Sequence, residues 1–296
     1  MSVELREAAP DDAAAIKQLF DEHALAAFGE VAMAEKEIRS WFAMPNIWMQ
    51  LAERDGRVVG YLDITSEESG HLSVDARTLD PEVAAVLLEA AEARGREIAK
   101  TPILRGLVQG REPVLRQAFE AAGWAPIRHF FQMRIELDGD LPEPVWPDGL
   151  APRNVEPGEE KRVYEAHMDA FADHWDFRRQ PFEVWRSYST SAHRYDPSLW
   201  WLVEDGDELA AISLNAWDFS GDPQFGWIQV LGVRRRWRKR GFGTALLQHS
   251  FRDFRDRGAA RVGLGVDGES TTGAVRLYER VGMRQARRSE TYEKVL

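Results

Sequence analysis

Residues 233–247, from Val233 to Leu247, read VRRRWRKRGFGTALL. Six basic residues fall between Arg234 and Arg240 with no acid among them, and Gly241 and Gly243 follow. Upstream, Phe225–Val233 (FGWIQVLGV) reads as a buried central strand. Downstream, Thr244–Arg257 reads as a helix, because Leu247, Phe251 and Phe254 recur at i, i+4 and i+7. Glycines between a strand and an amphipathic helix let backbone amides approach a ligand closely. The unpaired N–H groups and the dipole of the helix point to the same place. Together they make an anion site suited to a pyrophosphate, with arginine forks for further phosphates. Two plainer readings stand beside it: a solvated basic loop, and a nucleic-acid patch with Trp237 stacking on bases. The overall acidity argues against the second. A triphosphatase loop needs Gly-x-x-x-x-Gly-Lys-Ser/Thr, which is absent.

Working outward, the chain reads as two similar halves. The stretch Leu137–Gly149, LDGDLPEPVWPDG, has the prolines, glycines and aspartates of a linker. Before it, Arg6, Pro10 and Asp11-Asp12 precede an amphipathic helix. After it, Arg153, Pro157 and Glu159-Glu160 precede another, with the acids placed to suit a helix dipole. A hairpin turning at Asp55-Gly56 matches one turning at Asp205-Gly206. Helices closing on Gly123 and Gly282 match in the same way, glycine suiting a left-handed C-cap. The spacing of matched positions widens from 147 (Arg6 to Arg153) to 150 (Gly56 to Gly206) to 159 (Gly123 to Gly282), so the second copy is longer in its middle. This is the mark of a duplication. Each half alternates strands and helices as a mixed α/β sheet. Further strand and helix segments of the second half are Ala260–Val266 and Thr272–Arg280.

The 296 residues suffice for two ordinary domains. There are 38 basic and 49 acidic residues, a net charge of −11, which favours a self-repelling monomer or homodimer and disfavours a nucleic-acid partner. The absence of cysteine excludes disulfides, thiolate metal sites and a cysteine nucleophile, and fits a reducing compartment. No apolar run approaches the length of a membrane span and no leader pattern opens the chain, so it reads as cytoplasmic with no membrane partner. His174 has no partner at metal-site spacing, so no metal is expected.

With these motifs in place, Val233-x-x-x-x-Arg238-x-x-Gly241-x-Gly243 resembles the acetyl-coenzyme A signature of the GNAT superfamily of N-acetyltransferases, Gln/Arg-x-x-Gly-x-Gly/Ala. Val266-Asp267-Gly-Glu-Ser270 through Ala274, Leu277, Tyr278, Gly282 and Met283 resembles the superfamily's second signature, and the likeness covers nearly all of Gly149–Leu296. The two-copy arrangement is similar to tandem members of the mycothiol synthase type. The resemblance implies an α/β (α+β) fold of two tandem GNAT-like domains, each a mixed, mostly antiparallel sheet flanked by helices. It implies a degenerate copy over residues 1–137, a linker over 138–148 and an active copy over 149–296. It also implies acetyl-CoA as co-substrate. The pyrophosphate would be held at Arg238, Lys239, Arg240, Gly241, Phe242, Gly243 and Thr244. The backbone of Leu231 and Val233 would pair with the pantetheine arm beside a splayed strand. Tyr278 would protonate the departing thiolate, against the alternative of a core aromatic. Ser270, where the family often has asparagine, would touch the coenzyme or cap a helix.

Departures from the pattern matter as much. The family's frequent glutamate on the central strand is not evident, and Gln229 cannot take a proton. Candidates for deprotonating the amine are Asp218, Asp222, His174 and a water chain. Without cysteine, direct attack in a ternary complex is expected. The segment Phe171–Phe182 would shape the acceptor site, where Asp173, His174, Trp175 and Asp176 either hold a cationic amine or form an ordinary helix end. In the first half the corresponding loop, from Asp75 to Glu82, has no glycine, three acids and one arginine, and Phe119 stands at the tyrosine position. That half therefore reads as fold without coenzyme, completing the pair or walling the acceptor pocket. The activity implied is transfer of acetyl to a primary amine on a small molecule. The rivals are a non-catalytic acyl-CoA sensor, and acetylation of a protein or peptide terminus.

Overall fold

Both halves begin with the same charged clamp, made by residues whose side chains the sequence places close to the first helix. The computed structural model describes residues 3–31, 33–66, 70–98, 100–191, 195–218, 220–270 and 272–296. In the first half the Arg6 guanidinium donates to both carboxylate oxygens of Asp12 at 2.7 Å and to Glu53 at 2.8 Å. In the second, Arg153 donates to both oxygens of Glu159 at 2.6 and 2.7 Å and to Glu204 at 2.8 Å. One acid of each pair, Asp12 in the first and Glu159 in the second, is thus a clamp partner rather than only a dipole complement. It draws the first strand, the first helix and the following hairpin together. Hydrogen bonding to Arg153 lowers the Glu159 carboxyl to about 2. These groups are part exposed, so the clamp contributes geometry more than free energy.

The first unit runs β1 (Glu4–Glu7), α1 (Ala13–Phe28), α2 (Glu35–Trp41), β2 (Ile47–Arg54), β3 (Arg57–Ser66), β4 (Leu72–Arg77), α3 (Pro81–Ile98), β5 (Ile103–Gln109), α4 (Pro113–Ala121) and the start of β6 (Ala125–Glu136). Its sheet order is β1-β2-β3-β4-β5 and then β12 (Arg284–Val295), the last strand of the chain. Among the described residues, only β4 and β5 pair parallel in it. The second unit contains the end of β6, then β7 (Pro152–Asn154), α5 (Glu160–Phe171), α6 (Phe182–Ser189), β8 (Trp200–Asp205), β9 (Glu208–Trp217), β10 (Phe225–Val233), α7 (Phe242–Asp256), β11 (Arg261–Asp267) and α8 (Ala274–Arg280). Its order is β6-β11-β10-β9-β8-β7. Each unit is a mixed, mostly antiparallel sheet flanked by helices.

The compact units differ from a cut at residues 137–149. The first holds residues up to Phe130 together with Arg287–Leu296 and the loop tip Ser220–Gly221. The second begins at Phe131 and ends at Ala286. Burial gives the reason. Tyr292 is 1% exposed in the first core, stacked on Phe119 with ring centroids 5.4 Å apart. Met133 and Leu137 are buried in the second core with Met283. The proline-rich stretch is not free either. Leu137 N–H donates to the Ala260 carbonyl at 2.8 Å, Arg252 donates to the Leu141 carbonyl at 2.9 Å, and Trp146 packs edge-on against His249 of α7.

The helix-closing glycines behave alike in both units. Gly123 (φ +79°) and Gly282 (φ +98°) are left-handed. Trp124 N–H returns to the Phe119 carbonyl at 2.9 Å and Met283 N–H to the Tyr278 carbonyl at 3.0 Å. The first hairpin turns at Asp55-Gly56 with both φ values positive. The second turns one residue later than expected, at Gly206-Asp207, because Asp205 still pairs with Glu208.

Candidate coenzyme and acetyl-transfer site

Helix α7 is fixed by its apolar face: Leu247, Phe251 and Phe254 are each at most 1% exposed. That packing sets where its N-terminus points. Gly241, just before the helix, has φ +101°, and no side chain caps the helix there. The first intrahelical bond runs from Ala245 N–H to the Gly241 carbonyl at 3.0 Å, so the amides of Phe242, Gly243 and Thr244 fall in the turn that makes no helical bond. Lys239 is also left-handed, φ +61°. Left-handed residues at 239 and 241 satisfy the condition for a nest of inward-turned amides. Gly243 has a second constraint: a Cβ there would lie 3.1 Å from Leu277 of α8.

The basic run divides by task. Trp237 is 2% exposed and donates from Nε1 to Asp205 at 2.7 Å, so it anchors the loop and is not available to stack on bases. Arg234 pairs with Asp169 at 2.9 Å and Arg236 with Glu208 at 2.7 Å. Arg238 donates to the Val233 carbonyl at 3.1 Å, to the Ala170 carbonyl at 2.9 Å and to Asp173 at 2.6 Å. Arg235 also pairs with Asp173. Arg234, Arg235, Arg236 and Arg238 are therefore engaged with the loop's own surroundings, and Arg238 braces the loop against the end of α5. Lys239 makes no ion pair among the described residues. Arg240 is exposed, its guanidinium 5.5 Å from the Phe242 ring.

Beside the loop the sheet parts. Strands β10 and β11 pair in parallel from Phe225↔Arg261 to Ile228↔Leu264 and no further. On its other edge β10 stays paired with β9 to Val233↔Ala211, with a bulge between Ile228 and Val230. Leu231 and Val233 therefore have an edge facing β11 that has no strand partner among the described residues. Tyr278, on α8, is 7% exposed and packs in the cluster that holds Ile228, Leu231, Leu247 and Val266. Its hydroxyl makes no hydrogen bond among the described residues. Burial pushes its pKa up to about 12.

A family model described as the acetyltransferase (GNAT) family matches residues 161–283. The chain is similar to the mycothiol acetyltransferase of Salinispora arenicola, 31% identical over 239 residues, 77% of this chain and 75% of that protein. The mycothiol acetyltransferase of Salinispora tropica is 32% identical over 241 residues with the same coverage. Among solved structures, a GCN5-related N-acetyltransferase from Sphaerobacter thermophilus matches with a TM-score of 0.83 and 30% identity, covering 99% of this chain and 95% of that one. The chain belongs to the GNAT family of acetyltransferases. A tandem GNAT protein from the clavulanic acid biosynthesis pathway shares the fold at 16% identity, TM-score 0.77, over 99% of this chain and 98% of that one.

As a GNAT enzyme the protein is an acetyltransferase, and GNAT acetyltransferases use acetyl-CoA. The residues present fit that coenzyme: an uncapped helix end behind left-handed Gly241 for phosphates, and an open strand edge for an extended amide chain. Ser270 sits in the β11–α8 loop, its hydroxyl 2.8 Å from that of Thr272. It does not cap α8, whose flanking residue is Gly273. In the segment expected to shape the acceptor site, Asp173 is taken by Arg238 and Arg235, which hold its carboxyl below the usual range. His174 lies against the Phe171 ring, 4.2 Å between centroids, and burial lowers its pKa so that it is neutral at pH 7. Trp175 is 38% exposed, and Asp176 has φ +54° and lies 3.9 Å from Arg178. Of the other base candidates, Asp222 is bound to Arg261 at 2.5 Å.

The corresponding region of the first unit is built differently. The N-terminus of α3 is capped by its own Asp80, which accepts from Glu82 N–H at 2.9 Å and Val83 N–H at 3.3 Å and pairs with Arg54. Strands β4 and β5 also stop pairing, after Val74↔Gly106. Beyond that point the chain buries its own charges: Arg77 donates to Asp75 at 2.8 Å and lies 3.7 Å from Glu112, which His23 meets at 3.1 Å. Asp75 also stands directly across from Asp63, whose carboxyl pKa is pushed well above the usual carboxylate range, by burial first and by Asp75 second. Neither the Asp80 cap nor this cluster was legible as such in the sequence.

Proposed function

We propose that the second unit binds acetyl-CoA at residues 238–244 and along Leu231 and Val233, and transfers the acetyl group to a primary amine on a small molecule. The observation that carries this is the parting of β10 from β11 after Ile228↔Leu264, directly upstream of the uncapped end of α7. The mycothiol acetyltransferases bear the name of a small-molecule product class, and their similarity over three quarters of their length supports an acceptor of that kind. When bound, the coenzyme supplies an acyl carbon activated as a thioester. The open edge of β10 holds it in place, and the acceptor amine attacks directly within a ternary complex. A C–N bond forms and the C–S bond breaks. Tyr278 gives its proton to the leaving sulfur and recovers one from solvent, while the amine's surplus proton passes to solvent, so that amide and free thiol result. Asp173, through Arg235 and Arg238, positions the loop. The test is an amine panel weighted towards amino sugars and amino acid amides, read by thiol release. Turnover confined to peptide or protein amines would contradict the small-molecule reading.

A pH dependence follows. A general acid must be protonated to act, and a Tyr278 pKa of about 12 keeps it so across the working range. The amine must be deprotonated, with an ordinary pKa of about 10.4 for a lysine-like group. We expect kcat/KM to rise about tenfold per pH unit below the amine's pKa and to show no fall before about pH 11. Initial rates of thiol release between pH 6 and 10.5 check this. A falling limb near pH 9 would remove Tyr278 from the role.

A further inference from the structure

Gln229 occupies the apex at which β10 leaves β11. It is the residue after the last parallel pair, Ile228↔Leu264, and it is the extra residue of the bulge, since Ile228 faces Asn215 and Val230 faces Leu214. On β10, Gly226 lies under Phe254 and Ile228 packs with Leu247 and Phe251, so these two face α7. Alternation puts Gln229 on the opposite face, and the bulge keeps Val230 there too, packed with the α5 and α6 cluster. Its side-chain Nε2 is buried and has no hydrogen-bond partner among the described residues. A buried amide donor without a partner is costly, and a native chain normally avoids leaving one. At this apex the open edge begins that would carry the coenzyme arm, and the acyl end of that arm would lie nearest the closed end of the gap. A thioester presents there one strong hydrogen-bond acceptor, its carbonyl oxygen. That oxygen gains negative charge as the amine attacks, so a fixed donor stabilises it more in the transition state than in the ground state.

We propose that the Gln229 side-chain amide donates from Nε2 to the acetyl carbonyl oxygen, recognising the acylated coenzyme and stabilising the charge that develops on it. This rests on the coenzyme reading above. It also gives the strand's glutamine a task that needs no proton acceptance, and a carboxylate at the same position could not perform it.

Calorimetric titration of the full-length protein with acetyl-CoA and, separately, with free CoA tests the proposal without an acceptor. Wild type is expected to bind acetyl-CoA more tightly than CoA. Gln229→Leu, which keeps the volume and removes the donor, is expected to weaken acetyl-CoA about five- to tenfold while leaving CoA unchanged, the loss of one hydrogen bond. Gln229→Glu, an acceptor only, is expected to weaken acetyl-CoA at least as much. Unchanged CoA affinity in both variants shows that the fold and phosphate loop persist. Equal affinity of wild type for the two ligands would overturn the proposal, as would variants that keep the wild-type preference or a loss shared equally by both ligands. A wild type that binds neither ligand would instead contradict the coenzyme reading itself.

Discussion

Gly241→Glu is expected to abolish coenzyme A binding, with affinity reduced a hundredfold or more. A carboxylate would stand at the uncapped start of α7, at the proposed pyrophosphate site, and like charges brought together at an interface cost several kcal/mol. Each 1.4 kcal/mol is about tenfold in affinity. The side chain has room, since among the described residues a Cβ at Gly241 meets only Pro147, at 3.5 Å. The backbone is the second difficulty: φ is +101°, a region that side chains other than glycine's rarely adopt. Gly241→Ala separates the two effects. Strain alone costs about 1–3 kcal/mol of stability, so the alanine variant should melt earlier yet retain measurable coenzyme binding. A glutamate variant that binds coenzyme normally would remove the phosphate assignment.

Tyr278→Phe is expected to lower kcat by about 10²–10⁴-fold, the usual worth of a positioned general acid, with coenzyme affinity nearly unchanged. Two features make the variant informative. The ring is buried among Ile228, Leu247 and Val266, so phenylalanine keeps the packing. The hydroxyl has no partner among the described residues, so its removal orphans nothing and stability should hold. Full turnover by the variant, measured as thiol release on an accepted amine, would make Tyr278 a packing residue and leave protonation of sulfur to water.

Local signals explain what was legible. The apolar face of α7, the glycine-closed helices and the Asp55-Gly56 turn depend on residues within a few positions of one another, and the structure carries each of them. The strand–loop–helix around Gly241 falls in the same class. What the sequence hid depends on distance along the chain or on backbone register. Arg238 and Asp173 lie 65 residues apart, and the arginine that matched a phosphate motif turns out to brace the loop against α5. Asp173, suggested as an amine anchor, carries the other half of that brace. The bulge at Gln229 is a matter of register, and nothing in FGWIQVLGV marks which residue is extra. The last strand belongs with the first unit because Tyr292 completes a core formed by Phe119 and Trp124, a pairing that no local pattern announces. Acidity did flag the first copy's altered loop, while the means, a helix end capped by Asp80 and a buried Arg77 between carboxylates, arise only in the folded chain.

The contrast between the two units bears on the most direct measurement. One unit presents an uncapped helix end and an open strand edge. The other caps its helix with Asp80 and buries Arg77 and Glu112, with Asp75 half-buried beside them, where its strands part. Isothermal titration of the full-length protein with acetyl-CoA should give one site per chain. Gly241→Glu should eliminate that site, and wild-type affinity should weaken as salt is raised, because phosphate contacts are charge-assisted. Two equivalent sites per chain, or one site that survives Gly241→Glu, would contradict the assignment of coenzyme binding to the second unit's loop.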